Sequence, residues 1–265
     1  MSRYPQGSLH PLTLLANEAY SLFSSLGFEI TSGPELETAW YNFDALNVPK
    51  DHPARDMQDT FYIKKAKSAP EFSRSGEPTR GPENSGADEA DQYVLRTHAT
   101  NTTARILEKA AKEGLSEYAS ISIGKVFRNE ATDITHEMQF FQIDGCMIGE
   151  NINLSHMKAV LIEFYKKALG SDVEIEFRPS FFPFTEPSVE VHAKFNLPTG
   201  QAGGKWLEMM GGGMIHPEVL RNAGLDPEKI QGFAFGGGLD RIAMIRWNVP
   251  DVRLFYQGDL RLNQF

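Results

Sequence analysis

Residues 124 to 145 read GKVFRNEATDITHEMQFFQIDG: two strand-like runs around a charged loop. In the second run Phe140, Gln142 and Asp144 alternate with Phe141 and Ile143. As a β-strand it would show a ring, an amide and a carboxylate on one face and apolar residues on the other. A hairpin that only closed a core would not need that polar pair. Arg128 ends the first run, and its planar fork suits a phosphate or a carboxylate. Glu130 and His136 fall in the loop, where they could reach over a bound nucleotide, and Phe140 offers a flat face to a base. Singly, these charges fit a solvated hairpin equally well; together they point to a site.

Two further stretches carry chemistry. In RPSFFPFTEPS, residues 178 to 188, Phe181, Phe182 and Phe184 are bracketed by Pro179, Pro183 and Pro187. The backbone there is stiff, and the rings cannot all follow a simple alternation. Such aromatics suit a core, or a pocket for an apolar side chain with Glu186 at its lip, a carboxylate that could hold Mg²⁺ beside a phosphate. The glycine runs GGGM at 211 to 214 and FAFGGGLDR at 233 to 241 match neither a Walker loop nor a dinucleotide fingerprint. Glycines at 236 to 238 would let a ligand approach the backbone closely, with Arg241 standing over it or lying on the surface.

The elements that must position these residues follow from periodicity. Leu12, Leu15, Ala19, Leu22, Phe23 and Leu26 predict a helix stopped at Gly27, and FEITSGPELE predicts short strands broken at Pro34. A helix is expected over 103 to 113, stopped by Gly114. Another is expected over NLSHMKAVLIEFYKKALG, with Leu154, Met157, Leu161, Phe164 and Ala168 inward. VEIEFR and SVEVHAKF alternate as strands. KWLEMMGGGMIHPEVL and GFAFGGGLDRIAMIRW each read as strand, glycine turn and helix. The expected fold is α+β, with a mostly antiparallel sheet flanked by helices in a single domain over 1 to 265. Residues 64 to 92, rich in Pro, Gly, Ser and charge, are expected to form a flexible surface loop between DTFYI and YVLRTH, two strands of that domain.

Composition narrows the function classes. The 265 residues are 41% hydrophobic with a net charge of −9, which argues against gripping polyanions with the whole surface. MSRYPQGSLHPL lacks a secretory apolar segment, no later run suits a membrane span, and the one cysteine, Cys146, cannot pair internally. A reducing cytoplasm is the expected compartment.

The order of these features resembles the three signature motifs of class II aminoacyl-tRNA synthetases: a helix and strand ending in proline, a strand-loop-strand with Phe-Arg-x-Glu, and a glycine-rich strand and helix with Arg. HPLT, YNFDALNVPKDHPARD, LRTHAT, GKVFRNEATDITHE, FRPSFFPFTEPS, GMIHPEVLRNAG, GFAFGGGLDR and DVRLFYQGDLR together resemble the α subunits of bacterial phenylalanyl-tRNA synthetases, from about Gly7 to Phe265 apart from 64 to 92 and 196 to 205. That resemblance implies activation of phenylalanine with ATP and transfer to tRNA(Phe), with Mg²⁺, by an α₂β₂ heterotetramer with a β subunit. It implies that Arg128 holds the α-phosphate and the attacking carboxylate, that Phe140 and Arg241 sandwich adenine, and that Glu130 and His136 contact ATP. Glu186 would hold Mg²⁺, with Glu208 a second candidate for the same work. His98, Thr100, Gln142 and Asp144 would bind the polar end of phenylalanine, Phe182 and Phe184 would meet its ring edge-to-face, and Ala234 and Gly236 would floor the pocket.

The chain departs from the pattern in four places. Asp144 stands where the family has Glu, Thr100 where it has Ser, and Gln58 where relatives often have Trp. The N-terminal arm that these subunits lay on tRNA is missing from the sequence, so an acidic chain is expected to depend on a β subunit for tRNA. Two other readings share the motifs: a free-standing core that adenylates an amino acid for another acceptor, and a silent ligand-binding paralogue. Arg128, Glu186 and Arg241, kept together, weigh against silence.

Overall fold

Helical periodicity at the start of the chain produces α1, Pro11–Ser25, with Leu12, Leu15, Ala19 and Phe23 buried along one stripe. Gly27 takes the left-handed conformation (φ +86°) that ends it. Its start uses an imidazole: His10 Nδ1 accepts the Leu12 amide at 3.3 Å, with Pro11 in the first turn. The same His-Pro device recurs at His52, which accepts from Ala54, and at His216, which accepts from Glu218, each at 3.1 Å. An imidazole caps only while Nδ1 is unprotonated, and burial keeps His10 below its ordinary value. His10→Ala is expected to destabilise the protein by about 1 kcal/mol, read from urea unfolding, with His10→Asn recovering most of the loss.

The structure, a computed structural model, describes residues 7–63, 92–195, 204–260 and 262. After α1 come β1 (Glu29–Thr31), β2 (Leu36–Thr38), α2 (Ala39–Asn42), β3 (Tyr62–Ile63), β4 (Tyr93–Leu95) and α3 (Thr100–Glu113). The hairpin β5 (Tyr118–Phe127) and β6 (Gln139–Gly149) leads to α4 (Leu154–Leu169). Then follow β7 (Glu174–Phe182), β8 (Thr185–Lys194), β9 (Leu207–Ile215), α5 (Pro217–Asn222), β10 (Gln231–Gly238) and α6 (Leu239–Arg246). The main sheet has the order β1-β5-β6-β10-β9-β8-β7 and is antiparallel except for the β1–β5 pair. A small sheet, β2-β4-β3, joins the runs on either side of the long insertion, as expected. Of the flexible loop expected over 64 to 92, residues 64 to 91 lie outside the described residues.

One face of the main sheet is closed by α1, α4 and α6, which pack on Ile121, Ile143, Val191, Phe233 and Phe235. The other face is closed only in part, where α3 and α5 cover Cys146, Ile148, Ile215 and Ala234. Beyond them the sheet stays open over Gln142, Asp144 and Gly236. Strand alternation thus sends Ile143 into the core and its neighbours into a cavity.

Two expectations need correction. The glycines at 211 to 213 and 236 to 238 do not form turns; they lie within β9 and β10, in register with each other and with β6 (Gly236 opposite both Gly211 and Asp144). None of them has positive φ. Clearance explains the glycines: a Cβ on Gly211 would stand 2.6 Å from the Phe182 ring, and one on Gly236 would stand 2.9 Å from Asp144 Oδ2. Helix α3 begins at Thr100, three residues before the predicted start, because bonds from its threonines to Asp144 offset the poor helix propensity of β-branched residues.

Candidate active site

Three cavities open on the uncovered sheet face, and Arg128 lines all of them. The largest, about 380 Å³, is the aromatic one. Its walls include His98, Thr100, Gln142, Asp144, Phe182, Phe184, Ala234 and Gly236, which are all the residues expected to bind an amino acid. The second, about 280 Å³, is lined by Arg128, Glu130, His136, Phe140 and Arg241, all but one of those expected to bind ATP. Arg128, Phe140 and Gly238 border both. A side recess of about 360 Å³ lies among Ala54, Asp59, Thr97, His98, Arg128 and Glu130.

Each polar group of the aromatic cavity is held by the fold. Gln142 Oε1 accepts the Ala99 amide at 2.7 Å, which fixes the amide plane and leaves Nε2 as a donor without a partner among the described residues. Asp144, only 2% exposed, accepts from Thr100 Oγ1 at 2.8 Å and Thr103 Oγ1 at 2.6 Å. Burial nevertheless pushes its carboxyl up to about 6. His98 is buried, and its Nδ1 lacks a partner among the described residues. Burial first, and the Arg128 charge second, lower it to about 4, so the ring is neutral near pH 7. A neutral imidazole beside Arg128 adds no second positive charge to that wall.

The aromatic wall comes from the turn between β7 and β8. Phe182 and Phe184 stack with centroids 5.9 Å apart and planes 7° apart, while Phe181 is 75% exposed and takes no part. The tip of the Phe182 ring lies close over Gly211 of β9, where a Cβ would stand 2.6 Å from Cζ. Gly211→Ala is therefore expected to drive that ring into the cavity and, if the cavity takes the amino acid expected from the sequence, to raise the KM for it about tenfold, on the scale of one to two methylenes of displaced apolar volume. An unchanged KM in a folded variant would count against the close packing.

In the second cavity, Arg128 and Arg241 make no ion pair among the described residues. The Arg128 guanidinium lies 5.1 Å from the Phe140 centroid, and its Nε reaches Thr97 O at 3.4 Å. His136 Nδ1 is 3.0 Å from both Asp133 carboxylate oxygens, which orients the ring toward the cavity. Hydrogen bonds from the Thr135 backbone and the His136 ring hold Asp133 well below the usual carboxylate range.

Two predicted residues sit elsewhere. Glu208 borders the aromatic cavity, and its strand neighbour Leu207 borders the second. Glu186 is exposed on β8 and lines none of the three cavities. The irregular β8–β9 pairing between Thr185 and Ser188 turns it away from the walls. No group of three His, Cys, Asp or Glu among the described residues could cage a metal. Gln58 is exposed and outside the aromatic cavity. Its loop is strapped to the hairpin by Asn129, which donates to Met57 O and Asp59 O. Thr103, Asp133 and Asp240 were missed by sequence reasoning. Only Asp133, three residues before a candidate histidine, carried a signal.

The arrangement is that of a class II synthetase core: an antiparallel sheet with one open face and two unpaired arginines over a nucleotide-sized cavity. The family model for the tRNA synthetases class II core domain (F) matches residues 1–265. The chain is 43% identical over 267 residues to the phenylalanine–tRNA ligase alpha subunit of Dechloromonas aromatica, covering 98% of this chain and 70% of that one. It is 46% identical to the alpha subunit of the same ligase from Lysinibacillus sphaericus, covering 98% and 68%, and 42% identical to that of Syntrophobacter fumaroxidans, covering 99% and 71%. The chain belongs to the family of phenylalanine–tRNA ligase alpha subunits. Among its described residues, no helix is long and apolar enough to cross a membrane.

Proposed function

We propose that this chain supplies the synthetic site of a cytoplasmic phenylalanine–tRNA ligase, working in an α₂β₂ assembly with a β subunit. The carboxylate of phenylalanine attacks the α-phosphorus of ATP, the P–O bond to the β-phosphate breaks, and pyrophosphate leaves. A hydroxyl of tRNA(Phe) then takes the phenylalanyl group and AMP departs. Such an attack needs alignment and charge neutralisation more than a proton carrier.

The observation that carries this reading is that one unpaired arginine, Arg128, stands where an aromatic cavity meets a charged one. There its fork would span the substrate carboxylate and the α-phosphate. Arg241 and Phe140 would hold the adenine, and Glu130 and His136 the rest of the nucleotide. Gln142 Nε2 would donate to the amino acid's carboxylate. Asp144 and Thr100 would take its ammonium group beside His98. Phe182, Phe184, Ala234 and Gly236 would enclose the phenyl ring. Mg²⁺ bound with ATP would neutralise phosphate charge, with Glu186, exposed on β8, as its carboxylate and Glu208, at the border of the aromatic cavity, as the second candidate.

The test is phenylalanine-dependent ATP–pyrophosphate exchange and tRNA charging, with and without a co-expressed β subunit. Exchange and charging that require the partner are the expected result. Exchange by the chain alone without charging would indicate a free-standing adenylating enzyme, and none in either case would overturn the assignment.

A further inference from the structure

Strand β10 ends its ladder with Gly238 opposite Gln142 of β6, and the chain turns at once into α6. The next amide along β6, that of Phe141, has therefore lost its strand partner on that side. The Asp240 side chain takes the place: Oδ2 accepts the Phe141 N–H at 2.7 Å. Oδ1 accepts the Tyr256 hydroxyl from the C-terminal segment. Asp240 is only 3% exposed and borders the second cavity. A carboxylate in the first turn of a helix is favourably placed, and a buried amide without an acceptor would be costly.

These bonds link the neighbours of two residues that face the nucleotide. Phe140 precedes Phe141, and Arg241 follows Asp240; both line the cavity. We propose that Asp240, held by Tyr256, is a positioning residue that sets the distance between Phe140 and Arg241 and so the width of the slot that receives the adenine ring. The inference rests on the reading of the second cavity as the nucleotide site. The carboxylate stands in for one rung of backbone pairing and lets β10 give way to a helix at the cavity edge. Without it, β6 and α6 are free to separate there, and a planar ring gripped on both faces loses one contact. The aromatic cavity shares Phe140 and Gly238 with the second, but its remaining walls include His98, Thr100, Asp144, Phe182, Phe184 and Gly211, which that rung does not touch.

Asp240→Ala, Asp240→Asn and Tyr256→Phe should be compared in the chain assembled with its β subunit. Measurements are the KM values for ATP and phenylalanine in pyrophosphate exchange, and ATP binding by equilibrium dialysis. Asp240→Ala is expected to raise the ATP KM at least tenfold while the phenylalanine KM stays within twofold. An asparagine can accept from Phe141 through Oδ1 and donate to the Tyr256 oxygen through Nδ2, so Asp240→Asn is expected to stay within threefold of wild type. Tyr256→Phe is expected to fall between the two. Equal increases in both KM values, an asparagine variant as impaired as alanine, or an unchanged ATP KM in Tyr256→Phe should alanine not fold, would overturn the proposal. Wild-type complex without exchange would instead overturn the functional reading, and the dialysis would still decide the role of Asp240.

Discussion

Arg128→Ala is expected to lower phenylalanine-dependent pyrophosphate exchange about 10³-fold, with Tm within about 2 °C of wild type. The separation of the two effects follows from how Arg128 is held. It has no ion pair among the described residues, a long bond to Thr97 O and a stack on Phe140. The stack contributes about 0.5–1 kcal/mol to the fold. The catalytic contribution comes instead from two groups of like charge, a carboxylate and a phosphate, that must approach within bonding distance. On the proposed reading, a guanidinium between the cavities would neutralise both and align them. Arg128→Lys keeps the charge but loses the fork, and is expected to remain about 10²-fold impaired. A variant of either kind that exchanges within threefold of wild type would remove Arg128 from the reaction.

Asp144→Asn is expected to stabilise the protein while weakening phenylalanine binding about 10²-fold. The Asp144 carboxyl lies at about 6 in the folded chain against 3.8 in the unfolded one. The folded state therefore holds the proton more tightly. Its contribution to stability is fully present below pH 3.8 and is lost as pH rises through 6. At pH 7.5 the ionised group costs stability, and replacing it with an amide should recover about 1–3 kcal/mol. Binding runs the other way, because an ammonium group is drawn only to the ionised form. For wild type, the phenylalanine KM should rise about tenfold per unit as pH falls below 6, a slope that Asp144→Asn should lack. A flat wild-type profile between pH 5 and 7, or an unstabilised amide variant, would show that the carboxylate does not face the substrate's amino group.

Much of the site was legible because strands alternate. The Phe140, Gln142 and Asp144 face follows from period two alone, and its side of the sheet is the open one. Amphipathic spacing placed α1 and α4, and the bracketing prolines singled out the turn that carries Phe182 and Phe184. The failures also have physical reasons. Glycine signals both bends and clearance; only the packing of Phe182 on Gly211 and of Asp144 against Gly236 shows which is meant. The threonines at the start of α3 disfavour a helix locally, and their bonds to a carboxylate over 40 residues away cannot be seen in the local pattern. Asp240 carried no signal in the sequence because its partners lie on β6 and the C-terminal segment. Glu186 stands exposed on β8 beside the irregular β8–β9 pairing and outside the three cavities, so its expected part in holding Mg²⁺ rests on the resemblance and not on those walls.

The glycine strip on β9 and β10 makes mutation asymmetric. Where a wall is already bare backbone, any single replacement adds bulk, so drift at those codons can narrow the range of accepted rings but never broaden it. Ala234, which also lines the aromatic cavity, differs, since it still has a methyl group to lose; on the proposed reading, a laboratory seeking a more permissive enzyme would have its first opportunity there.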